Sequence, residues 1–239
     1  MLVLHRFTTA PESCQYLPEQ TSRLSYEVVA ELSPEEYEDR MNNGWRKFGM
    51  YLFRPVCASC RECRPIRILV DAFAPDRSQR RCIERNADLA VRFARPTVDD
   101  ARVALYNRYH AGQNTIKGWD EIVKTPDDYA NSFLYNPLRT GVEVSLWEGA
   151  TLRAVALTEV TPTVVSGVYH FHDPDESMRK RGIGTFVMLQ TIALAQKLGK
   201  PYAYFGYYIA GCGSLNYKSR FQPCEIRNDA GEWVPFAVP

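Results

Sequence analysis

The chain has 239 residues, 45% hydrophobic and 24% charged, with a formal net charge of +1. This is a globular composition with room for one large or two modest domains, and it excludes collagen-like or low-complexity chains. No apolar run approaches the about 18 residues of a membrane span, and the opening Met-Leu-Val-Leu-His-Arg lacks the parts of a signal peptide, so a cytoplasmic protein without a membrane partner is expected.

Seven cysteines are an odd number in a chain long enough to fold without disulfides, so reduced thiols or metal ligands are the better reading. Charge is unevenly placed. Residues 1–39 hold two Lys/Arg and eight Asp/Glu, whereas residues 44–95 hold twelve Lys/Arg, all but one of them Arg, and five Asp/Glu. A basic block with interleaved aromatics suits phosphate or carboxylate recognition, and equally a solvated face.

In chain order, residues 24–32 read as a strand. Ser33-Pro34-Glu35-Glu36 opens a helix, with Ser as N-cap and Pro at the first helical position, running to about Asn43 and stopped by Gly44. Residues 47–54 read as one strand, 57–63 as a cysteine loop, and 65–73 as an alternating strand. A basic helix is expected over 77–87, a strand over 89–94, and a helix opening at Thr97 that carries Tyr106, Tyr109 and, at its end, His110. Residues 111–140, rich in Gly, Asn and Pro with a short helical piece over 126–134, read as a hinge between halves 1–95 and 96–239.

The second half is plainer. A hairpin is expected over 141–147 and 152–160, a strand over 164–172, a helix over 182–198 ended by Gly199, a strand over 202–209, a short helix over 214–221, and closing strands over 224–227 and 233–236. Arg179-Lys-Arg-Gly-Ile-Gly184 falls between a strand and a helix. Glycines opening a helix admit close approach of backbone N–H groups to phosphate, so this turn reads as an anion site, with a structural tight turn as the alternative. The order of elements around it resembles a GNAT acyl-transfer core. The expected fold is α/β, with a GNAT-like mixed sheet in the C-terminal half and an α+β N-terminal portion.

Several ordered motifs carry a wider resemblance. Cys14-Gln-Tyr-Leu-Pro18, Gly44-Trp-Arg-Lys-Phe-Gly49, the run from Phe53 to Arg67, Arg77-Ser-Gln-Arg-Arg81, Arg85-Asn-Ala-Asp-Leu89, Arg108-Tyr-His110, Tyr204-Phe-Gly-Tyr-Tyr-Ile209, Asn216-Tyr-Lys218 and Phe221-Gln-Pro-Cys-Glu225 together resemble the bacterial aminoacyl-tRNA–protein transferases. The aspartate/glutamate leucyltransferases are the subfamily that fits best. The resemblance implies transfer of leucine from leucyl-tRNA to an N-terminal Asp or Glu, creating an N-degron. It implies no required cofactor. Arginyl transfer is the first alternative; acetyl-CoA-dependent N-acetylation and non-catalytic RNA binding are others.

Under that resemblance the residues take roles. Arg181, Gly182, Gly184, Tyr204 and Tyr207 are expected to border the donor, with Arg77, Arg80, Arg81 and Arg85 on tRNA phosphates. Tyr208, Tyr217 and Lys218 are the candidates to donate to a phosphate or to the oxyanion of the tetrahedral intermediate. An acidic N-terminus calls for guanidinium, so Arg46, Arg54, Arg64 and Arg67 are the acceptor candidates, walled by Tyr16 and Trp45. Cys57, Cys60 and Cys63, in Cys-x2-Cys-x2-Cys spacing, with Cys14 supply four thiols suited to zinc or an iron–sulfur cluster, or else reduced thiols at the acceptor site. Cys82, Cys212 and Cys224 read as small buried hydrophobes. His170 and His172 share a strand face with Asp173 next to them, a weak metal pair.

Overall fold

Residues 1–120 and 122–237 are described by a computed structural model. Local signals set many of its elements. Ser33 forms a capping box with Glu36, Pro34 opens the helix, and the helix ends at Asn42. Asp76 caps the basic helix, in a second capping box with Gln79.

The strands are β1 (Leu2–Thr8), β2 (Glu12–Ser13), β3 (Thr21–Ser22), β4 (Leu24–Glu31), β5 (Arg46–Phe48), β6 (Tyr51–Pro55), β7 (Arg64–Leu69), β8 (Ala90–Ala94), β9 (Gly141–Glu148), β10 (Thr151–Val160), β11 (Val164–His172), β12 (Tyr202–Tyr208), β13 (Cys224–Arg227) and β14 (Trp233–Phe236). The helices are α1 (Pro34–Asn42), α2 (Arg77–Arg85), α3 (Asp100–Lys117), α4 (Pro126–Phe133), α5 (Glu176–Arg181) and α6 (Ile183–Lys197).

Eight strands form one mixed sheet in the order β14-β13-β7-β12-β11-β10-β9-β8. All its pairs are antiparallel except β11 with β12. A second sheet has the order β1-β4-β6-β5. Period-2 alternation divides the apolar side chains of the large sheet between its faces. Ala154, Ala156, Val165 and Ala203 pack with α6, whereas Val155, Leu157 and Phe171 pack with α3 and α4. Val164 and Tyr204 meet α1 and the small sheet.

Four expectations change. Residues 47–54 are a hairpin, β5 and β6, because Gly49-Met50 turns the chain. The strand begun at Arg64 stops at Leu69 and passes into a 3-10 turn over Val70–Ala72. The supposed hinge begins as helix: α3 runs on to Lys117, so His110 sits within it rather than at its end. Gly112 does not break α3 but lets it touch Pro174, where a Cβ would stand 2.5 Å from the proline ring. Glu121, in the same stretch, lies outside the described residues. Lastly, α5 precedes Gly182, so the glycine turn joins two helices instead of a strand and a helix.

Candidate active site

The β2–β3 hairpin folds the Cys14–Pro18 loop over the end of the small sheet, held by the Cys14 amide donating to the Gln20 carbonyl at 2.9 Å. The cysteine loop between β6 and β7 closes the other side. Between them lies a cavity of about 650 Å³ lined by Cys14, Cys57, Cys60 and Cys63 together with Tyr16, Arg54, Arg64, Tyr207 and Arg227. Residues that the sequence assigned to metal, acceptor and donor roles therefore share one pocket. Cys57 is buried, its thiol donating to the Arg23 carbonyl at 3.8 Å. Burial first, then the neighbouring thiols of Cys14, Cys57 and Cys60, push the Cys63 thiol up to about 12. Tyr16 is 41% exposed, yet the surrounding protein and the thiols of Cys63, Cys212 and Cys14 raise its hydroxyl above the ordinary value. The four thiols face one space, but among the described residues no three His, Cys, Asp or Glu side chains converge as a ligand set.

The arginines divide sharply. Arg54 is exposed, its guanidinium 4.9 Å over the indole of Trp45, and among the described residues it has no ion pair or side-chain hydrogen bond; nor does Arg64. Arg227, which sequence reasoning missed, comes from β13 and keeps a buried Nε without a partner. No local pattern marks it; β13 pairing with β7 carries it to the pocket. Arg46 is buried, donating to the carbonyls of Trp45 at 2.7 Å and Gly206 at 2.9 Å. Arg67 is ion-paired with Glu225 at 2.6 Å and sandwiched between Tyr202 and Trp233, 3.9 and 4.2 Å from their ring centroids. Arg46, Arg67 and Trp45 stand behind the pocket wall rather than in its lining.

Next to this wall the large sheet opens. β11 and β12 pair only where Val164–Ser166 meet Tyr202–Tyr204, and beyond that the strands part. Gly206, at φ +76°, sits where the β12–β7 register shifts, a backbone shape that suits glycine. The carbonyls released here are taken by side chains: Arg46 donates to Gly206, and Lys218 Nζ donates to the Tyr207 carbonyl at 2.8 Å. Lys218 is 8% exposed. Burial, with Arg46 nearby, lowers its ammonium to about 7. Tyr204 donates to Asn42 Oδ1 at 2.7 Å and Tyr207 to the Gly44 carbonyl at 2.8 Å. Tyr208 packs against Phe236, ring centroids 4.8 Å apart, while burial raises the Tyr217 hydroxyl. Of the three candidates for oxyanion donation, Lys218 is thus the one bonded at the strand opening.

The glycine turn is built otherwise. Gly182, at φ +75°, ends α5 and begins α6. A Cβ on it would stand 3.2 Å from Cys82 Sγ, and one on Gly184 would stand 2.9 Å from His172 Nε2. Arg181 pairs with Asp88 and with Glu148 at 3.2 Å, and donates to Asn86 Oδ1. None of residues 179–184 lines the cysteine pocket. Arg77, Arg80, Arg81 and Arg85 are exposed on α2. His110 is buried, its Nε2 2.9 Å from the Tyr169 hydroxyl and its Nδ1 without a partner; burial lowers its pKa.

The structure is thus a mixed-sheet α/β protein with an open arginine-lined pocket beside a parted strand pair. Its relatives say which kind. The descriptions "Arginine-tRNA-protein transferase, N terminus" and "Arginine-tRNA-protein transferase, C terminus" match residues 12–81 and 101–228. The chain belongs to this family and is an enzyme of the aminoacyl-tRNA–protein transferase class. It is similar to proteins named aspartate/glutamate leucyltransferase. That of Stenotrophomonas maltophilia is 37% identical, over 98% of this chain and 93% of the relative. That of Pseudomonas savastanoi pv. phaseolicola is 34% identical over 95% of each. That of Campylobacter jejuni subsp. jejuni serotype O:6 is 33% identical over 92% and 91%. Among solved structures, FemX aligns with TM-score 0.45 and 8% identity, covering 86% of this chain and 79% of FemX, values that add nothing to the assignment.

Proposed function

We propose that this protein transfers leucine from leucyl-tRNA to the N-terminal Asp or Glu of proteins, a reading supported by its family and by relatives named aspartate/glutamate leucyltransferase. One observation supports the acceptor half above others: Arg54, exposed and without an ion pair among the described residues, lines a pocket of about 650 Å³ and stacks on Trp45 behind its wall. A guanidinium held flat by an aromatic ring presents a fork to a carboxylate. Residues 1–95 are read as the acceptor-side domain and 96–239 as a GNAT-like acyl-transfer domain, with the aminoacyl ester lying at the β11–β12 opening beside Tyr207 and Lys218.

The neutral α-amine of the acceptor attacks the ester carbonyl. The C–N bond forms, the ester C–O bond breaks, and the proton lost by nitrogen goes to the departing ribose hydroxyl. The ester supplies the driving force, so no cofactor is required and no step passes through a metal. Alignment of amine and ester supplies most of the rate. Lys218 holds the Tyr207 carbonyl and so fixes the edge against which the ester lies. The product begins with leucine and acts as an N-degron. No helix of the described residues is long and apolar enough to cross a membrane, in keeping with a cytoplasmic tRNA-using enzyme.

The test supplies radiolabelled Leu-tRNA or Arg-tRNA with peptides beginning with Asp, Glu, Lys or Ala. Label is expected on Asp and Glu peptides from Leu-tRNA; label from Arg-tRNA alone, or on Lys peptides alone, rejects the proposal. In Arg54→Ala, kcat/KM for Asp peptides is expected to fall about 10- to 100-fold, the weight of a charge-assisted hydrogen bond, with tRNA affinity unchanged.

A further inference from the structure

The pocket does not end at its rim. On the small sheet, Phe7, Tyr26 and Phe53 lie in register across β1, β4 and β6. Phe7 stacks on Tyr26 at 5.0 Å and 9°, and Tyr26 meets Phe53 at 5.9 Å. Tyr51 stands edge-on to Tyr26 at 6.2 Å. Tyr26 and Phe53 also line the cysteine pocket. Phe7 is 39% and Tyr51 44% exposed, and β1 is the outer strand of its sheet. An aromatic row of this kind, running from a pocket to solvent at a sheet edge, is unpartnered surface that a binding segment would cover.

Continuity selects the occupant. Phe7 and Tyr26 come from the acidic residues 1–39, whereas Tyr51 and Phe53 come from the basic residues 44–95. Arg6, beside Phe7, is already bonded to Glu27, and Glu12 lines the pocket next to Tyr26. The row shares Tyr26 and Phe53 with the pocket that holds Arg54. A polypeptide whose first residue sits at Arg54 continues along it. Resting on the acceptor reading of Arg54, we infer that this row is the exit track of the acceptor protein, gripping the residues that follow its N-terminal Asp or Glu and preferring apolar side chains there. The steps from Phe53 to Tyr26 to Phe7 cover a length that three or four extended residues span at about 3.3 Å each. The acceptor therefore enters with its leading residues unfolded.

The test compares an Asp-Ala dipeptide with ten-residue peptides opening Asp-Phe-Leu-Val, Asp-Gly-Ser-Gly or Asp-Glu-Glu-Glu. With native protein the apolar peptide should show a KM about 2- to 10-fold below the Gly/Ser peptide, the worth of one or two aromatic contacts. Phe7→Ala should erase that advantage, leaving kcat, the dipeptide KM and Leu-tRNA affinity unchanged, and Phe7→Tyr should restore it. Equal KM for all three long peptides, an equal change for dipeptide and long peptide in Phe7→Ala, or weakened tRNA binding in that variant each overturns the inference. Failure of the acceptor reading looks different: Arg54→Ala would then leave the choice of Asp over Ala intact, whatever Phe7→Ala does.

Discussion

The arginines lining the cysteine pocket and those paired at the glycine turn, on α3 and in β7 are chemically identical and structurally opposite. Arg54 and Arg64 line an open cavity with no ion pair among the described residues. Arg181 is held by Asp88, Glu148 and Asn86, and Arg102 by the wholly buried Glu143. Arg67 is spent on Glu225 between two rings. Richness in arginine does not separate the two groups; an acid partner does. The glycine turn has the sequence of an anion cradle, yet its Arg181 is ion-paired and its glycines are crowded by Cys82 and His172.

The contrast can be broken most forcefully at Arg102. Its Nε donates to Glu143 at 2.8 Å, and Glu143 is 0% exposed. Arg102→Met strands that carboxylate, at a cost of about 3–5 kcal/mol, or about 6–20 °C in Tm. Thermal unfolding measures it; a Tm within a degree of native would show that the pair is dispensable. Arg54→Ala, by contrast, should leave Tm alone.

Gly184→Ala sharpens the comparison at the turn. Its Cβ would meet the His172 ring at 2.9 Å, an overpacking worth about 1–3 kcal/mol. The expected result is a lowered Tm with unchanged affinity for Leu-tRNA in filter binding. Lost tRNA binding at native Tm would instead make the turn a phosphate site.

A pH trend is expected at Lys218, faced by Arg46, His170, Cys212 and Cys63. Its folded pKa of about 7 lies below the ordinary value near 10.4. Between these values the unfolded chain binds more protons, so stability rises with pH across that window, and below 7 the cost of the buried charge is fully present. In Lys218→Met the Tm gain over native should be greatest below pH 7 and shrink toward pH 10. A pH-independent difference would refute the depressed pKa.

The elements that were legible in the sequence carry their own local signals: the capping box at Ser33, the hairpin of β9 and β10, the apolar run of α6. α5 was hidden because six residues give too short a period to read, and the continuation of α3 because Gly112 looks like a breaker until Pro174 is beside it. The cysteine motif led to the pocket, with Tyr16, Arg54 and Tyr207. What stayed out of sight was pairing. Glu225 lies 158 residues from Arg67, and Asp88 lies 93 from Arg181, so no window along the chain could tell a spent arginine from an open one. Arg227 was missed for the same reason: only the sheet brings it near.

β7 carries a burden during synthesis. Its Ile66 and Ile68, 0% exposed in the finished fold, are covered by β12, β13 and α6, all made much later. At ribosomal speeds of roughly 5–20 residues per second, growth from Leu69 to Tyr202 takes on the order of ten seconds. Through that interval the nascent chain displays a greasy ribbon with both edges bare.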